Sequence, residues 1–229
     1  MRVKTDTNAL GRSTAAGRRG TGQLPESSVC QRALDVCVAM LALALLAPVF
    51  VLIAVAIRRD SPGPVLYTQA RAGRARRTFR IIKFRTMVAD ADELLGDVLH
   101  LNLHAAERDD PRLYKIPSDP RVTRVGAFLR RYSLDELPQL INVVKGDMSL
   151  VGPRPLMLME DRHVEGPAQI RALVRPGITG PWQVRGRNDL SFEEMMMLDC
   201  DYVVNRSLVG DLHLLIQTVP VLLRPQRAC

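Results

Sequence analysis

Asp135 and Glu136 stand side by side in RRYSLDELPQLINVVKGDMSLVGPRP, residues 130–155, just after the basic pair Arg130-Arg131. Neighbouring carboxylates raise one another's pKa, so the pair asks for compensating positive charge. A divalent cation or several arginines would supply it, and the same charges would hold a phosphate. Gly152-Pro153-Arg154-Pro155 follows, a stiff turn that displays one arginine. Upstream, Lys83 and Arg85 lie two positions apart, so on a strand they share one face and can reach a common anion. A plainer reading is local. Ser133 has the spacing of an N-cap with Glu136 as its capping-box partner, and Arg130 that of a cation at a helix C-terminus. Both readings stand at this point.

Composition narrows the chemistry. The 229-residue chain carries a net charge of +8 with a pI near 9.8, which suits an anionic partner: nucleic acid, a phosphorylated ligand or an acidic membrane surface. Aromatic residues make up only 4 %, with one tryptophan, so the stacking platforms of single-strand binders are mostly missing. A two-carboxylate glycosidase needs its acids about 5–10 Å apart across a substrate. Neighbouring residues on a helix point about 100° apart and fit that poorly. Cys30, Cys37, Cys200 and Cys229 show no C-x-x-C pairing and read as reduced thiols of a cytosol-facing protein.

The elements that must position these residues form a helix-rich α/β chain. Residues 1–29 are a basic, Gly/Ser/Thr-rich stretch expected to be a disordered tail. Residues 30–59 form the membrane element. Within them Val36–Ile57 has no charge, and as a helix of about 33 Å it is long enough to cross a bilayer core. Pro48 interrupts it, and basic residues flank it on both sides: Arg32 before, Arg58-Arg59 after. A helix-break-helix that dips in and returns places both flanks on the cytoplasmic face. Residues 60–229 then form a small cytosolic domain.

In that domain, residues 61–86 predict a β-hairpin whose second strand lies near Thr78–Arg85. Arg71, Arg74, Arg76, Arg77 and Arg80 suit a solvated face or lipid headgroups. Helices are expected over 89–103, 122–132, from Asp135 to about Val144, 157–174 and 191–205, the last capped by Ser191 with Glu194. Asn142 and Asp147 read as capping or turn residues. Arg175–Asn188 reads as a glycine-rich basic loop able to wrap phosphates, though it has no Walker or Rossmann spacing. Residues 208–223 are apolar, broken at Pro220, and suited to a membrane surface.

Three stretches, IIKFRTM, SDPRVTRVGAFLRRYSLDELPQLINVVKGDMSLVGPRP and RPGITGPWQVRGRNDLSFEEM, resemble the bacterial sugar transferases. These are the monotopic polyprenyl-phosphate phosphoglycosyl transferases, and the likeness spans about residues 31–224 of a chain similar to their small form. The resemblance implies transfer of a phosphosugar from a UDP-sugar to polyprenyl (undecaprenyl) phosphate, with release of UMP, at the start of exopolysaccharide or glycoconjugate synthesis. By the same resemblance Asp135 is the nucleophile that forms an aspartyl-phosphosugar, and Glu136 holds Mg²⁺. Lys83, Arg85, Arg130, Pro153 and Arg154 fall among the family's substrate-binding positions, with Arg187 toward the nucleotide. It further implies the cytoplasmic face of the inner membrane, contact with membrane lipids, no nucleic acid and a possible homodimer. Many relatives carry Ser-Pro at the membrane break where this chain has Ala47-Pro48. A non-catalytic membrane scaffold of the same fold is the alternative.

Overall fold

In the computed structural model, which describes residues 29–101, 116, 119–185 and 190–223, the uncharged run becomes one helix, α1 (Val29–Asp60). Its length and apolarity suffice to cross a membrane. Pro48, where the break is expected, lies inside this helix, whose assignment runs from Val29 to Asp60. Proline at 48 lacks the N–H that would bond the carbonyl of residue 44, and its ring crowds that carbonyl. α1 is not a detached anchor. Ala39, Ile53 and Ile57 are buried against the rest of the chain, while Leu41, Leu45, Val51 and Leu52 face outward.

Both ends of α1 are tied to the domain by polar contacts. Near its start, Arg32 donates to the carbonyl of Val144 at 3.1 Å, and the Asp35 carboxylate accepts from Ser149 Oγ at 2.5 Å. At its end, Asp60 accepts from the backbone N–H of Val125 at 3.0 Å. A buried carboxylate such as Asp35 is tolerated only with such partners.

The predicted hairpin is present. β1 (Leu66–Ala72) pairs antiparallel with β2 (Thr78–Phe84), in register from Leu66 opposite Phe84 to Ala72 opposite Thr78. Of the helix expected over 89–103, α2 (Leu95–Val98) and a 3₁₀ turn at Leu99–Leu101 form within the described residues. α3 (Arg124–Arg131) is capped by Thr123, whose side chain accepts from the N–H of Gly126. α4 (Gln139–Lys145) ends at Gly146 with φ 93°, a left-handed cap that glycine adopts without strain.

A second sheet was not foreseen. β3 (Ser149–Val151) pairs parallel with β4 (Gly177–Thr179), which lies inside the stretch expected to be loop. Each strand is three residues long, too short for any periodic signal. The helix expected over 157–174 splits into α5 (Leu158–Asp161) and a 3₁₀ segment, Gly166–Leu173. Gly166 takes φ 55°, and Pro167 has no N–H to continue a helix. α6 (Pro181–Arg185) follows β4. α7 (Phe192–Asn205) opens with the predicted Ser191–Glu194 capping box. α8 (Leu208–Leu223) runs through Pro220 rather than breaking there. Leu208, Val209, Leu212, Ile216, Val219 and Leu222 are exposed on it and fall on one stripe at helical spacing.

Asn142 is more than a turn residue. Fully buried on α4, its Oδ1 accepts from the N–H of Ile82 at 2.9 Å and its Nδ2 donates to the carbonyl of Arg80 at 2.7 Å. It therefore fixes β2, and with it Lys83, against the helix that follows the carboxylate pair. Replacing Asn142 with Ala strands both backbone groups, and urea unfolding of the detergent-purified protein is expected to register a loss of about 2–4 kcal/mol.

Candidate active site

The carboxylate pair sits on a 3₁₀ turn, Leu134–Glu136, not on the α-helix the sequence suggested. The cause is Pro138. It lacks the N–H that would bond Leu134, so Leu137 N–H takes that carbonyl instead at 3.3 Å. Ser133 takes a left-handed φ of 54° and makes no side-chain capping bond, which removes the capping-box reading of Ser133 and Glu136. The turn leaves Asp135 buried and Glu136 half-buried.

β2 brings Lys83 to both acids. Its Nζ donates to Glu136 Oε1 at 2.7 Å and lies 3.8 Å from Asp135 Oδ2. Burial is the largest influence on Asp135 and pushes its pKa up to about 6, with Glu136 adding to the rise and Lys83 and Arg130 opposing it. Asp135 is thus a carboxylate withheld from water, ionised at neutral pH, with one cation already at hand.

Arg130 closes the last turn of α3, and its Nε donates to Thr86 Oγ1 at 2.9 Å. A close approach sets this up. A Cβ on Gly126 would lie 2.0 Å from the carbonyl oxygen of Thr86, so only glycine lets α3 pack against the residue after Arg85. Arg85 is turned elsewhere. Its guanidinium donates to the carbonyls of Pro62 and of Ser61, the latter at 2.8 Å, and so braces the turn between α1 and β1. The spacing suggests a common anion site for Lys83 and Arg85, but Lys83 is held by the acid pair and the Arg85 guanidinium by the Ser61 and Pro62 carbonyls.

Pro153 is buried, and Arg154 stands beside it with its guanidinium 4.7 Å above the Trp182 ring, a cation–π contact between the GPRP turn and α6. Arg187 lies outside the described residues. Sequence reasoning passed over Arg71, grouped with the solvated arginines. It is buried on β1, donating to the carbonyl of Pro155 at 3.3 Å and to Gln69 Oε1 at 2.5 Å, with Glu160 at 3.8 Å. The available signal was its two-residue spacing from Gln69 between two alanines, which marks an inward face.

As a cation site, the pair offers two hard carboxylates and no further cluster of His, Cys, Asp or Glu among the described residues. That donor set fits Mg²⁺, which binds through one or two carboxylates and takes its remaining ligands from water and substrate phosphates.

Comparison with known proteins converges on one family. The model of the bacterial sugar transferases matches residues 26–225. The exopolysaccharide production protein ExoY of Sinorhizobium fredii is 40 % identical over 196 residues, 86 % of each chain. The UDP-glucose:undecaprenyl-phosphate glucose-1-phosphate transferase of Caulobacter vibrioides is 43 % identical over 223 residues, covering 92 % of this chain and 76 % of that protein. The undecaprenyl-phosphate galactose phosphotransferase of Salmonella typhimurium is 39 % identical over 198 residues, and there the chain spans 41 % of the relative's length. Because the family match takes in α1, the carboxylate turn and α8 alike, the chain belongs to the bacterial sugar transferase family.

Proposed function

We propose that this protein transfers a sugar phosphate from a UDP-sugar, UDP-glucose or UDP-galactose, to undecaprenyl phosphate at the start of exopolysaccharide synthesis. The single observation that carries the reading is Asp135: a buried carboxylate with a pKa of about 6, held beside Glu136 and Lys83. The relatives named for undecaprenyl-phosphate glucose and galactose transfer support the substrate class.

Donor and acceptor are both anions, so direct attack of one phosphate on the other is electrostatically hard, and a covalent intermediate divides the barrier. In the first step an Asp135 oxygen attacks the sugar-linked phosphorus, the bond to the α-phosphate oxygen breaks, and UMP leaves. In the second, a phosphate oxygen of the acceptor attacks the same phosphorus and the Asp135 carboxylate is released. Burial supports the first step by stripping Asp135 of the water that would blunt it as a nucleophile. Lys83 and Arg130 favour its ionised form and offset charge on the transferring phosphoryl group. Glu136, with Asp135 beside it, would hold Mg²⁺, which when bound neutralises charge on the phosphate oxygens.

The membrane placement follows the same lines. α1 and the exposed stripe of α8 supply the apolar surface. The contacts of Arg32, Asp35 and Asp60 hold both ends of α1 on the domain, which supports a helix that enters the bilayer from one side, on the cytoplasmic face of the inner membrane. The test is UMP release by the detergent-purified protein. Mg²⁺-dependent release from UDP-glucose or UDP-galactose that stops at about one UMP per protein without undecaprenyl phosphate and continues with it is the expected result. No release with any UDP-sugar would leave a scaffold or another nucleotide.

A further inference from the structure

Arg71 and Arg154 lie close enough for the charge of one guanidinium to bear on the other. Trp182, beneath Arg154, belongs to a core of Leu156, Val164, Phe192, Met195 and Met196 that contains no α1 residue. The other two cores, by contrast, are built partly from α1: Ala39 in one, Ile53 and Ile57 in the other.

Arg71 is poorly explained as a structural cross-link. Burial and the charge of Arg154 lower its pKa to about 10, with Glu160 and Glu136 acting in the opposite sense. It therefore remains a cation at neutral pH, within the electrostatic reach of both the GPRP arginine and the catalytic turn. Its Nε–H is buried with no hydrogen-bond partner. Each terminal nitrogen spends one N–H, on Pro155 and on Gln69, which leaves one on each. The nearest carboxylate, Glu160, is 3.8 Å away and already accepts from the N–H of Met157. Arg71 thus keeps unspent N–H groups beside a second guanidinium, an arrangement that a bound diphosphate would complete.

We infer that Arg71, paired with Arg154 across the GPRP turn, binds the diphosphate of the nucleotide donor, and that Glu160 tempers this charge when the donor is absent. The inference rests on the proposed transferase reading. It adds a donor-binding residue on β1.

Binding of UDP to the full-length, detergent-purified protein, measured by calorimetry without acceptor, tests it alongside donor and acceptor KM. Arg71→Lys keeps the charge but loses the planar fork, and is expected to weaken UDP binding and raise donor KM about tenfold, with acceptor KM within about twofold of wild type. Glu160→Gln keeps an oxygen for Met157 and removes the competing charge, so UDP is expected to bind about threefold tighter. The second variant decides the matter if the first misfolds. Unchanged UDP affinity in a folded Arg71→Lys protein, or in Glu160→Gln, would overturn the inference. So would a rise in acceptor KM instead of donor KM, which would assign the guanidinium to the lipid phosphate. Wild-type protein that neither binds UDP nor releases UMP would sink this inference and the transferase reading together. Wild-type protein that does both while the variants match it sinks this one alone.

Discussion

Asp135→Asn is expected to reduce turnover by at least about 10³-fold while leaving the protein folded and, at neutral pH, more stable than wild type. The stability gain follows from the sign of the shift. Folding raises the Asp135 pKa from 3.8 to about 6, so the folded state favours the protonated acid. The favourable contribution is fully present below pH 3.8 and is lost as pH rises through about 6. At pH 7.5 the ionised, buried carboxylate costs up to about 3 kcal/mol, and the amide removes that cost. Glu136 keeps its 2.7 Å contact with Lys83 in the variant, so the turn retains its anchor. Thermal unfolding should show the variant ahead at pH 7.5, with the difference shrinking towards pH 4. A variant that is inactive because it is unstable would mean that Asp135 is structural.

The second large effect is at Lys83. Its ammonium is the strongest influence holding the Asp135 pKa down against burial. Lys83→Met is expected to lower kcat/KM by about 10²–10³-fold, through lost stabilisation of the transferring phosphoryl group. It also moves the acidic limb of the pH–rate profile. In the wild type, activity should fall as pH drops through about 6, where Asp135 takes up its proton. Without Lys83 that limb moves to higher pH, and raising the pH recovers part of the lost rate. Lys83→Arg, which keeps the charge, should leave the limb near its wild-type position. A limb unmoved in Lys83→Met would separate Lys83 from the ionisation of Asp135.

The parts of this site that were legible in the sequence are those set by local rules. Alternation across residues 66–84 marks the hairpin that carries Lys83, and Ser191 with Glu194 marks the start of α7. The acid pair stood out because like charges in sequence need an outside partner. What escaped depends on contacts distant in the chain. Arg85 has the same spacing signal as Lys83, yet the carbonyls of Ser61 and Pro62 claim it. Asn142 looks like a cap, and only the approach of β2 reveals a side chain that holds two backbone groups. Arg71 is one basic residue among many until the GPRP turn packs on it. The parallel pair of β3 and β4 joins segments with no periodicity of their own. Pro138 was visible, but its effect, a 3₁₀ turn in place of a helix start, needed the positive φ of Ser133 to be seen.

The central claim is that Asp135 becomes covalently bound to the sugar phosphate. Intact mass of the purified protein, incubated with Mg²⁺ and a panel of UDP-sugars without lipid acceptor, tests it directly. The account predicts a mass gain of one phosphosugar with one or more donors, absent in Asp135→Asn, and discharged when undecaprenyl phosphate is added. UMP release on adding acceptor with no adduct at any time would contradict it, as would an adduct that persists in Asp135→Asn.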